Sequence, residues 1–408
     1  MSSEEFSNAS DNEDEMFPIP TSGCTINALG SNLVVIGGWN PHHFDPWIRS
    51  HDHGYVRKIY KHNLYTRLWS EHRCYIPQEN CPIETACHCT FQLTSNTLLF
   101  FGGSMSPMNV SESSNKVFIY SMKDESWKAV DCVGGPGQTP STEVGHWWGR
   151  AGFLAGTTLT ICTGNYVTDQ LEVNQLRIDS EPYRWEKLVP RSGAEFTFPL
   201  VKHQIVVYDN KVFVFGGSVN FMRRNRSETF QGTLASLPTF DLLTKKWSYT
   251  QCAIDEKYAE LWPFAPSVVL VGHHVFLTGG ALFHNGDSVD LLDAVLRLDL
   301  KEKSWNAFST LKGKGRFFHA SCVTDDGRLC VYGGCLEMEY MTSARSNEVE
   351  FIQCTVPTLY QCALMAFCAS ERGVMTTNRL HNAKDGRVAV IEQLKIEGFP
   401  EFVLRDLL

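Results

Sequence analysis

The densest group of recognition chemistry in the chain is Arg223, Arg224 and Arg226, three guanidinium groups within four residues and opposed nearby only by Glu228. A guanidinium presents its donors in a planar fork that matches a carboxylate, which an ammonium group does not. Losing one such donor from a partly shielded site costs about 2–5 kcal/mol of affinity. Arg150, Lys202 and Arg316 extend the same positive set, and Trp147, Trp148, Trp262 and Phe318 offer aromatic walls beside it. The competing reading is a solvated basic loop, because neighbouring loops carry Asp45, Asp52, Asp287 and Glu337. Other chemistry is weaker. Cys87-His88-Cys89 contains ligand types, but adjacent residues of a strand face opposite ways and no CxxC pair accompanies them. No GxSxG, HExxH, phosphate-cradling loop or spaced His/Asp cluster stands in the chain, so no catalytic residue, metal or cofactor is assigned. His203 and His319 recur at one position of a repeat and are expected to be structural.

That repeat is what must position these residues. Gly-Gly doublets that close an apolar strand-like run fall at 37–38, 102–103, 216–217, 279–280 and 333–334, with a degenerate Thr163-Gly164 between the second and third. Trp69, Trp127, Trp185, Trp247 and Trp305 follow five of the six at spacings of 58, 58, 62 and 58 residues. A short apolar strand precedes each doublet, as in VFVFGG and LCVYGG, and another precedes that. Two glycines at a strand end tolerate positive φ and let a second backbone approach closely, and the tryptophan fills the space between layers. Each unit therefore reads as four antiparallel strands, and the period of about 50 residues or more predicts an all-β, six-bladed propeller over 16–354. The sixth unit lacks a tryptophan strand, and the segment around Glu15 to Ile19 is expected to supply it. The loops after the doublets are long, and long loops on a rigid scaffold carry binding.

Composition bounds the rest. The chain has 408 residues, 20% of them charged and 12% aromatic, which describes a folded protein. Its net charge is −9, and six acidic and no basic residues fall within 1–15, leaving the remainder at −3. That balance argues against nucleic-acid binding, and the acidic segment reads as a disordered, solvated tail. No apolar run is long enough to span a membrane and no signal peptide is evident, so cytoplasmic or nuclear residence with 14 reduced cysteines is expected.

Beyond the ring the pattern changes. Residues 357–370 carry Leu359, Ala363 and Phe367 at helical spacing, with Pro357 suited to the first turn. Glu371-Arg372-Gly373 is expected to end that helix, followed by a polar linker through Thr376-Thr377-Asn378. A second amphipathic stretch (Val388, Ile391, Leu394) and GFPEFVLRDLL complete a short helical tail over 355–408. The bland alternative is a helical buttress beneath the ring.

Gly-Gly followed by tryptophan resembles the kelch repeat. Thr358-Leu359 with Ala363 and Phe367 resembles an Elongin-binding box, with alanine where cysteine is usual. Phe399-Pro400 with Val403 and Leu407 resembles a Cullin 2 box. In this order, after a kelch ring, the two boxes resemble the kelch-domain substrate receptors of Cullin 2 ubiquitin ligases. The resemblance implies Elongin C, Elongin B and Cullin 2 as partners. It also implies protein substrates gripped by C-terminal tails ending in glycine or alanine, whose carboxylate the arginines would hold. The chain would then be a non-catalytic adaptor. A different reading needs only the ring: a kelch scaffold for a kinase, a phosphatase or the cytoskeleton, with no ubiquitin role. A propeller enzyme would need convergent groups that no motif reveals.

Overall fold

The computed structural model describes residues 18–43, 54–72, 81–82, 85–104, 116–135, 151–165, 170–179, 181–191, 200–218, 232–284, 289–338, 344–382, 387–397, 399–400, 403–404 and 407. Within them the expected blades are present. Blade 1 comprises Thr25–Leu29, Asn32–Ile36, Ile59–Asn63 and Trp69–His72. Blade 2 comprises Ala86–Thr94, Thr97–Ser104, Val117–Ser121 and Ser126–Val130, and blade 3 Ala151–Ala155, Thr158–Asn165, Gln170–Arg177 and Tyr183–Leu188. Blade 4 runs through Gln204–Tyr208, Lys211–Phe215, Ser236–Asp241 and Lys246–Gln251, and blade 5 through Ser267–Val271, His274–Thr278, Ala294–Asp299 and Ser304–Thr310. Blade 6 holds Ala320–Val323, Arg328–Tyr332 and Val349–Gln353. Strands within these blades pair antiparallel in chain order. Every first strand lies beside the first strands of both neighbouring blades, including blade 6 beside blade 1, so the ring is closed around an axis.

The tryptophans do what their spacing suggests. Trp127, Trp185, Trp247 and Trp305 are buried and face the third strand of their own blade, as in Trp247 opposite Phe240. Trp305 also donates from Nε1 to the Leu234 carbonyl at 2.8 Å, tying blade 5 to blade 4. Alternate residues of each strand feed the seams between blades, where Phe215, Leu237, Leu277 and Leu296 pack together. That is the period-2 pattern of a sheet covered on both faces.

The doublets mark the joints. The second glycine donates its N–H to the next blade: Gly38 to Thr85 (2.6 Å), Gly217 to Pro263 (3.0 Å), Gly280 to Arg316 (2.8 Å) and Gly334 to Thr21 (2.9 Å). Gly216 and Gly217 have φ of +65° and +99°, where a side chain is strained. A Cβ on Gly216 would also run into the Pro263 carbonyl and the Pro266 ring.

Ring closure differs from expectation. Glu15 to Phe17 lie outside the described residues, and Pro18 and Ile19 form no strand; among the described residues blade 6 has three strands. Instead the segment crosses the joint between blades 6 and 1. Thr21 N–H donates to Ser346 (3.2 Å), Asn347 Nδ2 donates to the Pro18 carbonyl (3.0 Å) and Ile19 packs into the seam with Tyr60 and Tyr332.

Helix α1 (Glu256–Ala259) bridges blades 4 and 5, and three helices follow the ring: α2 (Leu359–Cys368), α3 (Glu371–Asn382) and α4 (Arg387–Ile396). Pro357 stands before the helix: Thr358 is the N-cap of α2, and with Gln361 it makes a reciprocal capping box. The expected linker is helix α3. Its threonines satisfy themselves inside the helix, Thr376 donating to the Arg372 carbonyl (2.8 Å) and Thr377 to that of Val374 (2.9 Å). Leu364, Leu380, Leu394, Leu404 and Leu407 form a separate small core joined by Tyr65 of blade 1. Gln361 Nε2 donates to the Asp325 carbonyl in the turn between the first two strands of blade 6 (3.0 Å).

Candidate functional site

The first strands all start at one end of the axis, beside the Gly-Gly joints. Two residues before the strand residue that faces the doublet stand Gly23, Cys87, Lys202, Ala265 and Phe318, with φ of +66°, +55°, +58°, +50° and +55°. They bond to one another around the axis. Cys87 N–H donates to Gly23 (2.7 Å), Gly23 to Phe318 (2.8 Å), Phe318 to Ala265 (3.2 Å) and Ala265 to Lys202 (3.2 Å). This backbone girdle joins five blades, and it holds four non-glycine residues in a conformation that costs about 1–2 kcal/mol each. Strain of this kind persists where surrounding bonds over-determine it, and it gathers at functional sites.

Inside the girdle a channel of about 490 Å³ is lined by the first strands of all six blades. Its described wall offers Thr25, Asn27, Thr90, Gln204, Ser267 and Ser321 as polar groups. Lys202 is its one formally charged side chain among the described lining residues, and its ammonium lies 5.1 Å from the centre of the Phe318 ring. A cation at the mouth of a channel whose described wall has no carboxylate favours an anionic group entering along the axis.

The histidines next to the girdle are structural. His88, His203 and His319 are buried; His88 Nε2 pairs with the Thr25 hydroxyl and His319 Nε2 with that of Thr278, both at 2.9 Å. Burial pushes their imidazoles down, His88 and His319 to about 3 and His203 to about 4. An imidazole at about 3 is a poor general base near neutrality, so Thr25–His88 does not form an activated nucleophile. His88 stacks on Phe100 at 4.3 Å, so its ring is held between blade 2 and the Thr25 hydroxyl of blade 1. His62, in blade 1, is likewise lowered to about 4 by burial and the nearby Arg328 and Arg67.

These shifts give the ring a sign-defined pH response. Each group is neutral when folded and titrates near 6.5 when unfolded, so its contribution is complete above 6.5 and is lost as pH falls toward 4 for His62 and His203 and toward 3 for His88 and His319. Each pH unit below 6.5 should remove about 1.4 kcal/mol per histidine. Urea midpoints at pH 7 and pH 5 should therefore differ clearly; equal midpoints would show that the imidazoles are not held neutral.

The structure sorts the ten sequence-derived recognition residues into three groups. Lys202 and Phe318 come together at the mouth. Arg223, Arg224, Arg226, Arg150, Trp147 and Trp148 lie outside the described residues. Arg316 and Trp262 are framework. Arg316 is 1% exposed, with its guanidinium on the Glu350 carboxylate and the Gly333 carbonyl. Trp262 packs against the seams on both sides of blade 4 and is not part of the channel wall. Cys87 and Ala265 are girdle residues that sequence reasoning missed. Their shared offset before the doublet-facing residue was the available signal.

The tail residues also separate. Leu359 is 90% exposed at the start of α2, and Ala363 lies exposed one turn on. Phe367 turns inward and packs on Phe399 with ring centres 5.8 Å apart. In the second box only Pro400 is exposed; Phe399 and Val403 are half-buried in the helical core, and Leu407 is 4% exposed within it. Assigning Leu407 to a partner therefore needs correction, because the leucine core of the tail already occupies it. No described helix is long and apolar enough to cross a membrane.

Comparison with known proteins agrees with this architecture. Residues 89–334 match the KLHDC2/KLHL20/DRC7 Kelch-repeats domain. The chain is 24% identical over 84% of its length to Kelch domain-containing protein 10 of Xenopus tropicalis, covering 78% of that protein. The Drosophila melanogaster homolog gives 24% identity over 84% of this chain but 56% of its own length. Kelch domain-containing protein 2 of Bos taurus gives 22% over 87% of the chain and 86% of that protein. The solved structure of YjhT superposes with a TM-score of 0.53 at 12% identity, covering 83% of this chain and 96% of that one, which is a likeness of fold. Kelch-repeat propellers are generally non-catalytic interaction modules, and no enzymatic family emerges from these matches. The glycine joints, the tryptophan positions and the family match together make this chain a member of the kelch-repeat β-propeller family.

Proposed function

We propose that this chain is the substrate-recognition subunit of a Cullin 2–Elongin B/C ubiquitin ligase, and that it binds the C-terminal tails of its substrates at the axial mouth. The observation that carries the reading is the presentation of Leu359. Val356 and Leu359 are 93% and 90% exposed, on and just before a capped helix whose opposite face is anchored by Leu364. Apolar side chains held open on an ordered helix serve a partner better than they serve the fold. Ala363, small and exposed one turn on, lets a partner surface approach closely.

The mouth and the tail stand at opposite ends of the ring. The girdle lies where first strands begin, and the helices pack on turns where those strands end, near Asn32, Asn63 and Asp325. Substrate and ligase would thus engage separate faces. Lys202 would meet the tail carboxylate, with Phe318 beside a small terminal residue. The arginines at 223, 224 and 226 remain candidate donors on the loop that follows the blade 4 doublet. Pro400 is the exposed member of the Cullin 2 box, while Phe399, Val403 and Leu407 hold its helix in place.

Co-purification tests the reading. Elongin B and C should follow the intact chain from cell extract, and Leu359→Ala should reduce their capture at least tenfold without altering the melting temperature. Unchanged capture by Leu359→Ala, or none by the parent chain, would remove the ligase role and leave a kelch interaction scaffold.

A further inference from the structure

At the end of blade 5 opposite the mouth, three side chains converge that share no sequence motif. His273 and His274 close the hairpin between the first two strands, and Asp299 ends the third strand. Backbone pairing fixes all three. His274 is the register partner of both Val271 and Asp299, and the His273 carbonyl accepts from Leu300 N–H at 2.9 Å. The Asp299 carboxylate is oriented as well, since Oδ1 accepts from the N–H groups of Lys301 (2.8 Å) and Glu302 (3.0 Å). Its other oxygen, Oδ2, lies 3.5 Å from His273 Nε2 and 3.4 Å from His274 Nε2.

Those separations are informative. A charge-assisted N–H···O bond closes to about 2.7–2.9 Å. Donors on a tetrahedral ion with bonds of about 2.0–2.1 Å stand about 3.3 Å apart. The observed distances fit the second geometry better. All three donor atoms lie within 4.8 Å of one another, and the imidazole centres are 4.1 Å apart. The side chains are only 20–32% exposed, so the site has a floor yet remains open to water for the remaining coordination positions. Arg297 opposes a cation electrostatically, and its guanidinium is directed over the Phe308 ring at 5.3 Å.

We propose that His273, His274 and Asp299 form a binding site for one borderline divalent cation of the zinc and cobalt class. Two imidazoles and a carboxylate suit these ions and not calcium or magnesium, which require oxygen cages. The ion would staple the turn at Gly272 to the turn at 299–303, on the face away from the axial mouth.

The test uses the full chain, freed of metal and titrated with Co2+. Cobalt separates imidazole and carboxylate ligation from binding by the cysteines, because thiolate ligands add an intense sulfur-to-metal charge-transfer band. One equivalent should bind with visible d–d bands and no thiolate band, and the melting temperature should rise. His274→Gln should weaken this binding at least tenfold. Asp299→Asn, which keeps an acceptor for Lys301 and Glu302, should do the same while the metal-free melting temperature stays near that of the parent. A thiolate spectrum, saturation unchanged in both variants, or no binding at 1 mM Co2+ would overturn the assignment. Elongin capture should be unaffected in both variants, so the outcome is separate from the proposed ligase role.

Discussion

Arg316→Ala should destabilise the ring by about 3–5 kcal/mol, the usual consequence of removing one partner of a buried ion pair. Arg316 is 1% exposed, its guanidinium rests on Glu350, and Nη1 donates to the Gly333 carbonyl at 3.4 Å. Glu350 also accepts from Lys312 N–H at 2.7 Å, so the pair ties the entry of blade 6 to that blade's outermost described strand. Without the guanidinium, the Glu350 carboxylate, on a side chain only 9% exposed, loses its counter-charge. Replacing both partners, as Arg316→Met with Glu350→Leu, should recover most of the loss, because the desolvated charge then disappears. Chemical denaturation of the single and double variants measures both effects. A single variant with an unchanged midpoint but impaired peptide binding would return Arg316 to the recognition surface.

Gly216→Val should cost several kcal/mol. Two causes act together at this position. The residue has φ of +65°, where an L-residue is strained by about 1–2 kcal/mol and a β-branched one by more. Its side chain would also meet the Pro263 carbonyl and the Pro266 ring of blade 5, and overpacking of this kind typically costs about 1–3 kcal/mol. Gly156 separates the two causes. It has a similar φ of +56° and no atom within 4 Å of a built Cβ, so Gly156→Ala should show the conformational cost alone. Equal denaturation midpoints for Gly216→Val and Gly156→Ala would mean that the blade joint yields and that contact there is unimportant.

The repeat was legible because its physics is local and recurs. Four doublets make the same bond to a carbonyl of the next blade, and each tryptophan fills the same place opposite the third strand. Five doublets and five tryptophans repeating one local rule outweigh the ambiguity of any single copy. The tail was less legible. Helix α3 looked like a linker because Thr376, Thr377 and Gly373 are poor helix formers. Its hydroxyls instead find carbonyls within the helix, and Gly373 allows close approach to the Phe367 carbonyl. Tertiary packing decided that segment.

The recognition residues show the division most clearly. Composition and spacing placed Lys202, Arg316, Trp262 and Phe318 near the starts of first strands, but residue type alone could not say which faced the axis. Lys202 and Phe318 occupy the girdle and open on the channel, whereas Arg316, four residues before the doublet-facing Ala320, turns into the blade and meets Glu350. A two-residue offset reverses the role because the chain turns through a left-handed conformation at Phe318. By itself, then, the sequence determined the blade count, the joints and the presence of a helix through Leu359, all of which follow from short-range pattern; which of its residues stay exposed came from the folded tail. Only the tertiary structure decided which cation reaches the axis, that Leu407 belongs to a core, and that His273, His274 and Asp299 share one corner. Each of those depends on strands that meet only when the blade is folded.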